Sequence, residues 1–246
     1  MGIAWTLRSF AYGVLGAAVS VGAGGCGARV DRAAWNADAA SIVGRQEQAI
    51  ADSRQCLLVI NEPSPQQRHA TAWLLERAAA ESWSVTRGPI ACSVGANGVA
   101  RPGEKVEGDK MTPSGSYTLT EALGRDPVVN TKIAYRQATD NDAWDERPDS
   151  PTYNQWVSGD AAKGLTERLG ADSELMRVCI VVDYNRWPAV PGKGSAIFIH
   201  RAHPDGAGTL GCIGFQKDDL DWLLATLDPA KKPRVVIVRG DSQVTP

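Results

Sequence analysis

Two side chains within one short stretch have the types and spacing for covalent chemistry. In "SAIFIHRAHPDGAGTLGCIGF" (195–215), His200 closes an apolar run and Cys212 follows after a glycine-rich loop. A cysteine nucleophile must become a thiolate, and a neighbouring imidazole is a suitable base. It also needs backbone N–H groups aimed at a developing oxyanion, and glycines 206, 208 and 211 let the chain turn back tightly enough to provide them. A helix opens a few residues after Cys212, and its positive end is expected to depress the thiol's pKa. Spacing alone leaves two other readings open. His200 could be a satisfied histidine at a strand end, with His203 a loop residue. His200, His203 and Cys212 could also be zinc ligands, although residues three apart on a strand face opposite ways and no fourth ligand is visible.

These residues need elements to hold them. "RVCIVVDYN" (177–185), "SAIFIH" (195–200) and "RVVIVRG" (234–240) are short, β-branched and bounded by Pro, Gly or Asn, so they read as strands. "CLLVI" from Cys56 and "GPIACSV" also read as strands. "ATAWLLERAAAESWSVT" (70–86) is ambiguous between helix and strand. One helix is clear: in "QKDDLDWLLATLDP", Leu220, Leu223, Leu224 and Leu227 form one apolar face. Asp218 and Asp219 occupy its first turn, and Pro229 stops it. The long loop "VARPGEKVEGDKMTPSGSYTL" is of the kind that wraps a site. The whole is expected to be mainly β, a β-rich α+β domain with one clear helix after Cys212.

Composition bounds the rest. The chain has 246 residues, 26 Lys+Arg against 28 Asp+Glu, and no basic block, so a nucleic-acid partner is not expected. Residues 1–25 read as a signal peptide: Arg8 is followed by the uncharged run "FAYGVLGAAVSVGAGG", and no acid precedes Asp31. The run ends at "AGGC", which resembles a bacterial lipobox, making Cys26 a candidate for lipidation and membrane tethering. Residues 26–54 are expected to be a tether or helical linker, with the catalytic domain at 55–246. Cys56, Cys92 and Cys179 sit in strand-like runs and read as core thiols, although an exported protein also permits a pair among them.

The stretch around Cys212 resembles the active-site signature of the L,D-transpeptidases of the YkuD type: a His, a gap, then Thr209-Leu210-Gly211-Cys212-Ile213. Upstream, Gly95, Gly98, Gly108, Asp109, Thr112, Pro113, Gly115 and Tyr117 resemble the family's "GxxG…GDxxTPxGxY" segment, and "WDERPDSPTYNQWV" is similar to a stretch found in a subgroup. The resemblance implies a sandwich-like catalytic domain acting on peptidoglycan stem peptides in the cell envelope. It makes Cys212 the nucleophile and His200 the base, with Gly211 and Cys212 N–H groups at the oxyanion and Thr209 in positioning. It implies neither cofactor nor metal. The family's usual Arg after the Cys-aliphatic pair is replaced by Gly214, so Arg201, Lys105 and Lys110 become candidates to hold a substrate carboxylate. Transpeptidation is the leading activity. L,D-carboxypeptidase trimming and a catalytically silent, peptidoglycan-binding lipoprotein are the alternatives.

Overall fold

The computed structural model describes residues 32–61, 67–78, 81–170 and 173–240. Residues 1–25, expected to be a signal peptide, and Cys26 lie outside the described residues.

The chain forms strands β1 (Gln55–Asn61), β2 (His69–Glu76), β3 (Ser84–Ser93), β4 (Gly115–Thr118), β5 (Glu121–Gly124), β6 (Ala134–Gln137), β7 (Asp142–Asp145), β8 (Gln155–Ser158), β9 (Val178–Val181), β10 (Phe198–Arg201), β11 (Ile213–Phe215) and β12 (Arg234–Arg239). Helix α1 spans Arg32–Arg45, α2 Glu47–Ile50 and α3 Lys217–Thr226. Among the described residues strands far outweigh helices, the mainly β class that the sequence pattern implies.

Ten strands make one mixed sheet in the order β4-β12-β1-β2-β3-β11-β10-β9-β5-β6, while β7 and β8 pair as a separate hairpin. This order forces curvature. A flat sheet would hold β4 and β5 about 38 Å apart, eight strand spacings. Thr118 and Glu121, however, are three residues apart and can span only about 10 Å. The sheet therefore curls until its ends meet. There the Asp183 N–H donates to the Thr118 carbonyl (3.2 Å), and the Asp183 carboxylate accepts from the hydroxyls of Thr118 (2.5 Å) and Thr120 (2.9 Å).

The curl wraps α3. Leu220, Leu223, Leu224 and Leu227 pack into a core with Leu57, Leu74, Ile180, Ile199 and Ile213 from five strands. The ambiguous 70–86 stretch resolves as β2 turning into β3. Ala72 and Leu74 face the α3 core, whereas Trp73 and Leu75 face outward into a second apolar cluster. A strand buried on both faces carries a continuous apolar run, which is why alternation was weak there.

Two covers protect the outer face. Ala39 and Val43 of α1, with Ile50, pack on Cys56, Leu58, Trp73, Leu75 and Trp83. At the other end the β7–β8 hairpin lays Trp144 against Phe198, rings edge-on with centroids 5.1 Å apart, over Cys179 and Val181. Cys56, Cys92, Cys179 and Cys212 are all free thiols.

Candidate active site

Strands β10 and β11 run parallel, pairing Ile199 with Ile213 and His200 with Gly214. Cys212 stands one residue before β11, opposite Phe198. Cross-strand partners share a face, and so do residues two apart on a strand. His200 and Cys212 thus occupy the same outer face, on adjacent strands, offset by two residues. The two side chains are not hydrogen-bonded to each other. The Cys212 thiol donates to the Ala196 carbonyl (3.3 Å) and accepts from the Phe198 N–H (3.4 Å), turning toward the start of β10. His200 Nδ1 lies 2.6 Å from the Arg201 carbonyl. A carbonyl can only accept, so Nδ1 carries the proton and Nε2 is the basic nitrogen.

The electrostatics correct one expectation from the sequence. Burial pushes the Cys212 thiol up to about 12, with Glu167 and Glu146 adding to the rise against Lys105. The helix dipole does not reverse this, because the residue after Cys212 opens β11 and α3 begins only at Lys217. His200 is 5% exposed, and its burial lowers its pKa, with His203 contributing. Both partners are therefore neutral at rest.

The upstream segments prove to be the scaffold of this thiol. The Cys212 carbonyl accepts from two hydroxyls, Thr209 Oγ1 at 2.7 Å and Thr112 Oγ1 at 3.2 Å. Thr112 Oγ1 also accepts the Gly95 N–H (2.8 Å), and Thr209 Oγ1 accepts the Gly211 N–H (3.1 Å). Thr209 is joined to the 94–96 segment through Val94 O (3.0 Å) and the Ala96 N–H (2.8 Å). Gly211 has φ +145°, a conformation that side chains rarely adopt, and a Cβ there would come within 3.0 Å of Met111 O. Asn154 carries a role that spacing could not reveal. Its Oδ1 accepts from Trp144 Nε1 (2.8 Å) and from the Ala196 N–H (3.0 Å), and its Nδ2 donates to the carbonyls of Tyr184 (3.0 Å) and Asn185 (2.7 Å). It fixes Ala196, whose carbonyl receives the thiol. The signal was present in "TYNQW" but had no spatial partner to explain it.

Of the candidate substrate-binding residues, Lys105 lies near enough to influence Cys212 but is buried, with Nζ held by Asp109 and the Val106 carbonyl, each at 2.8 Å. Lys110 is an exposed loop residue with φ +58°. Arg201 alternates to the face opposite His200, pairs with Glu174 at 2.6 Å, and lines a separate hollow of about 620 Å³ with Arg177 and Lys217. The structure does not bring it to Cys212. It brings acids instead: Glu146 and Glu167 share a hydrogen bond, and Glu146 is pushed up to about 7 by burial and by its neighbours Glu167 and Glu107. Glu107 in turn accepts from the hydroxyls of Tyr153 (2.5 Å) and Ser195 (2.8 Å).

The chain is thus a curled β domain with a thiol and an imidazole on one face of its sheet. Residues 65–238 match the family profile of the L,D-transpeptidase catalytic domain (YkuD), and the chain belongs to that family. No curated protein and no solved structure matches the chain. The family acts on cell-wall peptidoglycan, which places the protein's substrate in the envelope, outside the cytoplasm.

Proposed function

We propose that the protein is an L,D-transpeptidase in which Cys212 forms a thioester with a peptidoglycan stem peptide. The carrying observation is the placement of Cys212 and His200 on one face of adjacent parallel strands, with the Cys212 carbonyl clamped by Thr112 and Thr209. From this resting state the thiol must leave the Ala196 carbonyl and turn toward His200 Nε2. His200 then takes the thiol proton as sulfur bonds to the carbonyl carbon that links the stem's diamino acid to its terminal D-residue. The C–N bond breaks, and the departing amine takes the proton from the imidazolium. The amine of a second stem next attacks the thioester, giving its proton to His200, and the returning thiolate recovers it. Water in place of that amine gives carboxypeptidase action. The Gly211 N–H is occupied by Thr209 at rest, so it reaches an oxyanion only once Thr209 releases it.

A lipoprotein-type leader at 1–25 and an acylated Cys26 would hold this domain beside its polymeric substrate. Incubating the full chain with tetrapeptide muropeptides should release D-alanine and leave Cys212 heavier by the acyl group. Unchanged release by Cys212→Ala overturns the reading. Cross-linked dimers mark transpeptidation, whereas tripeptides alone mark trimming.

A further inference from the structure

A hollow of about 230 Å³ lies on the outer sheet face beside His200. It occupies the strip that neither α1 nor the β7–β8 hairpin covers. Strand registers set His69, Ser93 and Gly214 of its lining in one row that continues to His200: His69 pairs with Ser93, Ser93 with Gly214, and Gly214 with His200. Cross-strand partners share a face, so only the hydrogen of Gly214 stands between Ser93 and His200. A Cβ at Gly214 would come within 2.4 Å of Ser93 Oγ and 3.0 Å of Ala202 Cα. The loop after β10 closes the other side with His203 and Gly206, and Arg68 Nε donates to the Gly206 carbonyl (2.8 Å), bonding a guanidinium to a residue of the lining.

The chemistry of this hollow is the reverse of that on the other side of the thiol. Its lining holds no carboxylate; it offers the imidazoles of His69 and His203 and the hydroxyls of Ser93 and Thr71. Glu146 and Glu167, by contrast, act directly on Cys212. A group that leaves an acyl centre must collect its proton from His200, so it departs on the His200 side. When the terminal residue of a peptide leaves, it takes the chain's carboxylate with it. A hollow below the roughly 300–1,000 Å³ of drug-sized pockets suits an occupant of amino-acid size.

We propose that this hollow is the subsite for the carboxylate of the amino acid that departs as the thioester forms, held by His203, Ser93 and Arg68. The inference rests on the acyl-transfer reading and names where its leaving group sits. His203, which already acts on His200, would then report occupancy directly.

The test uses the ring resonances of the protein's three histidines, His69, His200 and His203, in the full chain. Free D-alanine is expected to shift the His203 and His69 signals, and D-alaninamide, which lacks the carboxylate, is not. Ala91 is exposed at the edge of the hollow, so Ala91→Leu fills it with little risk to folding. That variant should lose at least about tenfold in D-alanine affinity, about 1.4 kcal/mol, with the His200 signal of the free protein unmoved. Equal shifts with the amide overturn the proposal, as does an undiminished shift in Ala91→Leu. So does no shift up to about 50 mM D-alanine, well above the roughly millimolar weak end of specific binding. Mass analysis of Cys212 with tetrapeptide donors is run in parallel. Acylation without any D-alanine effect overturns the subsite and leaves the transferase reading standing. A carboxylate-dependent shift without acylation keeps a carboxylate site but overturns its part in transfer.

Discussion

The two threonines that share the Cys212 carbonyl should be energetically coupled. Thr112→Val leaves the buried Gly95 N–H without an acceptor, while Thr209 still satisfies the carbonyl. An orphaned buried donor costs about 1–3 kcal/mol. Thr209→Val likewise orphans the buried Gly211 N–H at a similar cost of about 1–3 kcal/mol, with Thr112 remaining on the carbonyl. Only the double variant strips the Cys212 carbonyl of both hydroxyls, adding about 1 kcal/mol that neither single variant shows. Urea unfolding of the full chain measures all four corners of the cycle, with the slope of the transition confirming an unchanged unfolded state. D-alanine release should fall further than stability does, since the clamp fixes the peptide unit of Cys212, the proposed nucleophile. If the double variant equals the sum of the singles within about 0.5 kcal/mol, the shared-acceptor argument is wrong.

Two further predictions follow from the site's electrostatics. Because burial pushes the Cys212 thiol to about 12, its alkylation by iodoacetamide in the free protein should climb about tenfold per pH unit between about pH 7 and about pH 10. Peptide mass analysis isolates the Cys212 signal, and a plateau near neutral pH would refute the protonated resting thiol. Glu146 is raised from 4.5 to about 7, so the folded state holds a proton that the unfolded state has lost across that window. Its contribution is full below 4.5 and disappears as pH rises through about 7. The stability of Glu146→Gln relative to the native protein should therefore grow from pH 4.5 to about 7 and then level off. Parallel curves across the window would contradict it.

What the sequence disclosed was what local chemistry determines. The three β-branched runs became β9, β10 and β12, and the leucine spacing became α3, because each is fixed by short-range periodicity. The glycine-rich return and most of the 99–119 loop were legible as site elements, since glycine and proline mark where a chain must turn, although its Gly115–Thr118 end forms β4. Long-range register was not legible. Nothing local says that Thr112 reaches a carbonyl one hundred positions later, or that His69 and Ser93 share a row with His200. The 70–86 stretch hid its strands because both faces are buried, which removes the alternation that identifies a half-buried strand. The thiol's pKa was misjudged for a related reason. Nearness in sequence to α3 suggested a dipole, whereas the dominant effect, burial beneath the β7–β8 hairpin, comes from residues far away in the chain.

The register also changes what Gly214 means. Set against the signature it resembles, the replaced Arg reads as the loss of a fixed positive charge next to Cys212. Within this sheet, position 214 lies between Ser93 and His200, and even a methyl group there collides with Ser93 Oγ. Ser93 and Gly214 are therefore one choice, in which side-chain volume at 214 is exchanged for open space beside His200. The donors able to meet an anion in that space are the His203 imidazole and the Arg68 guanidinium, which is bonded to the Gly206 carbonyl of the lining.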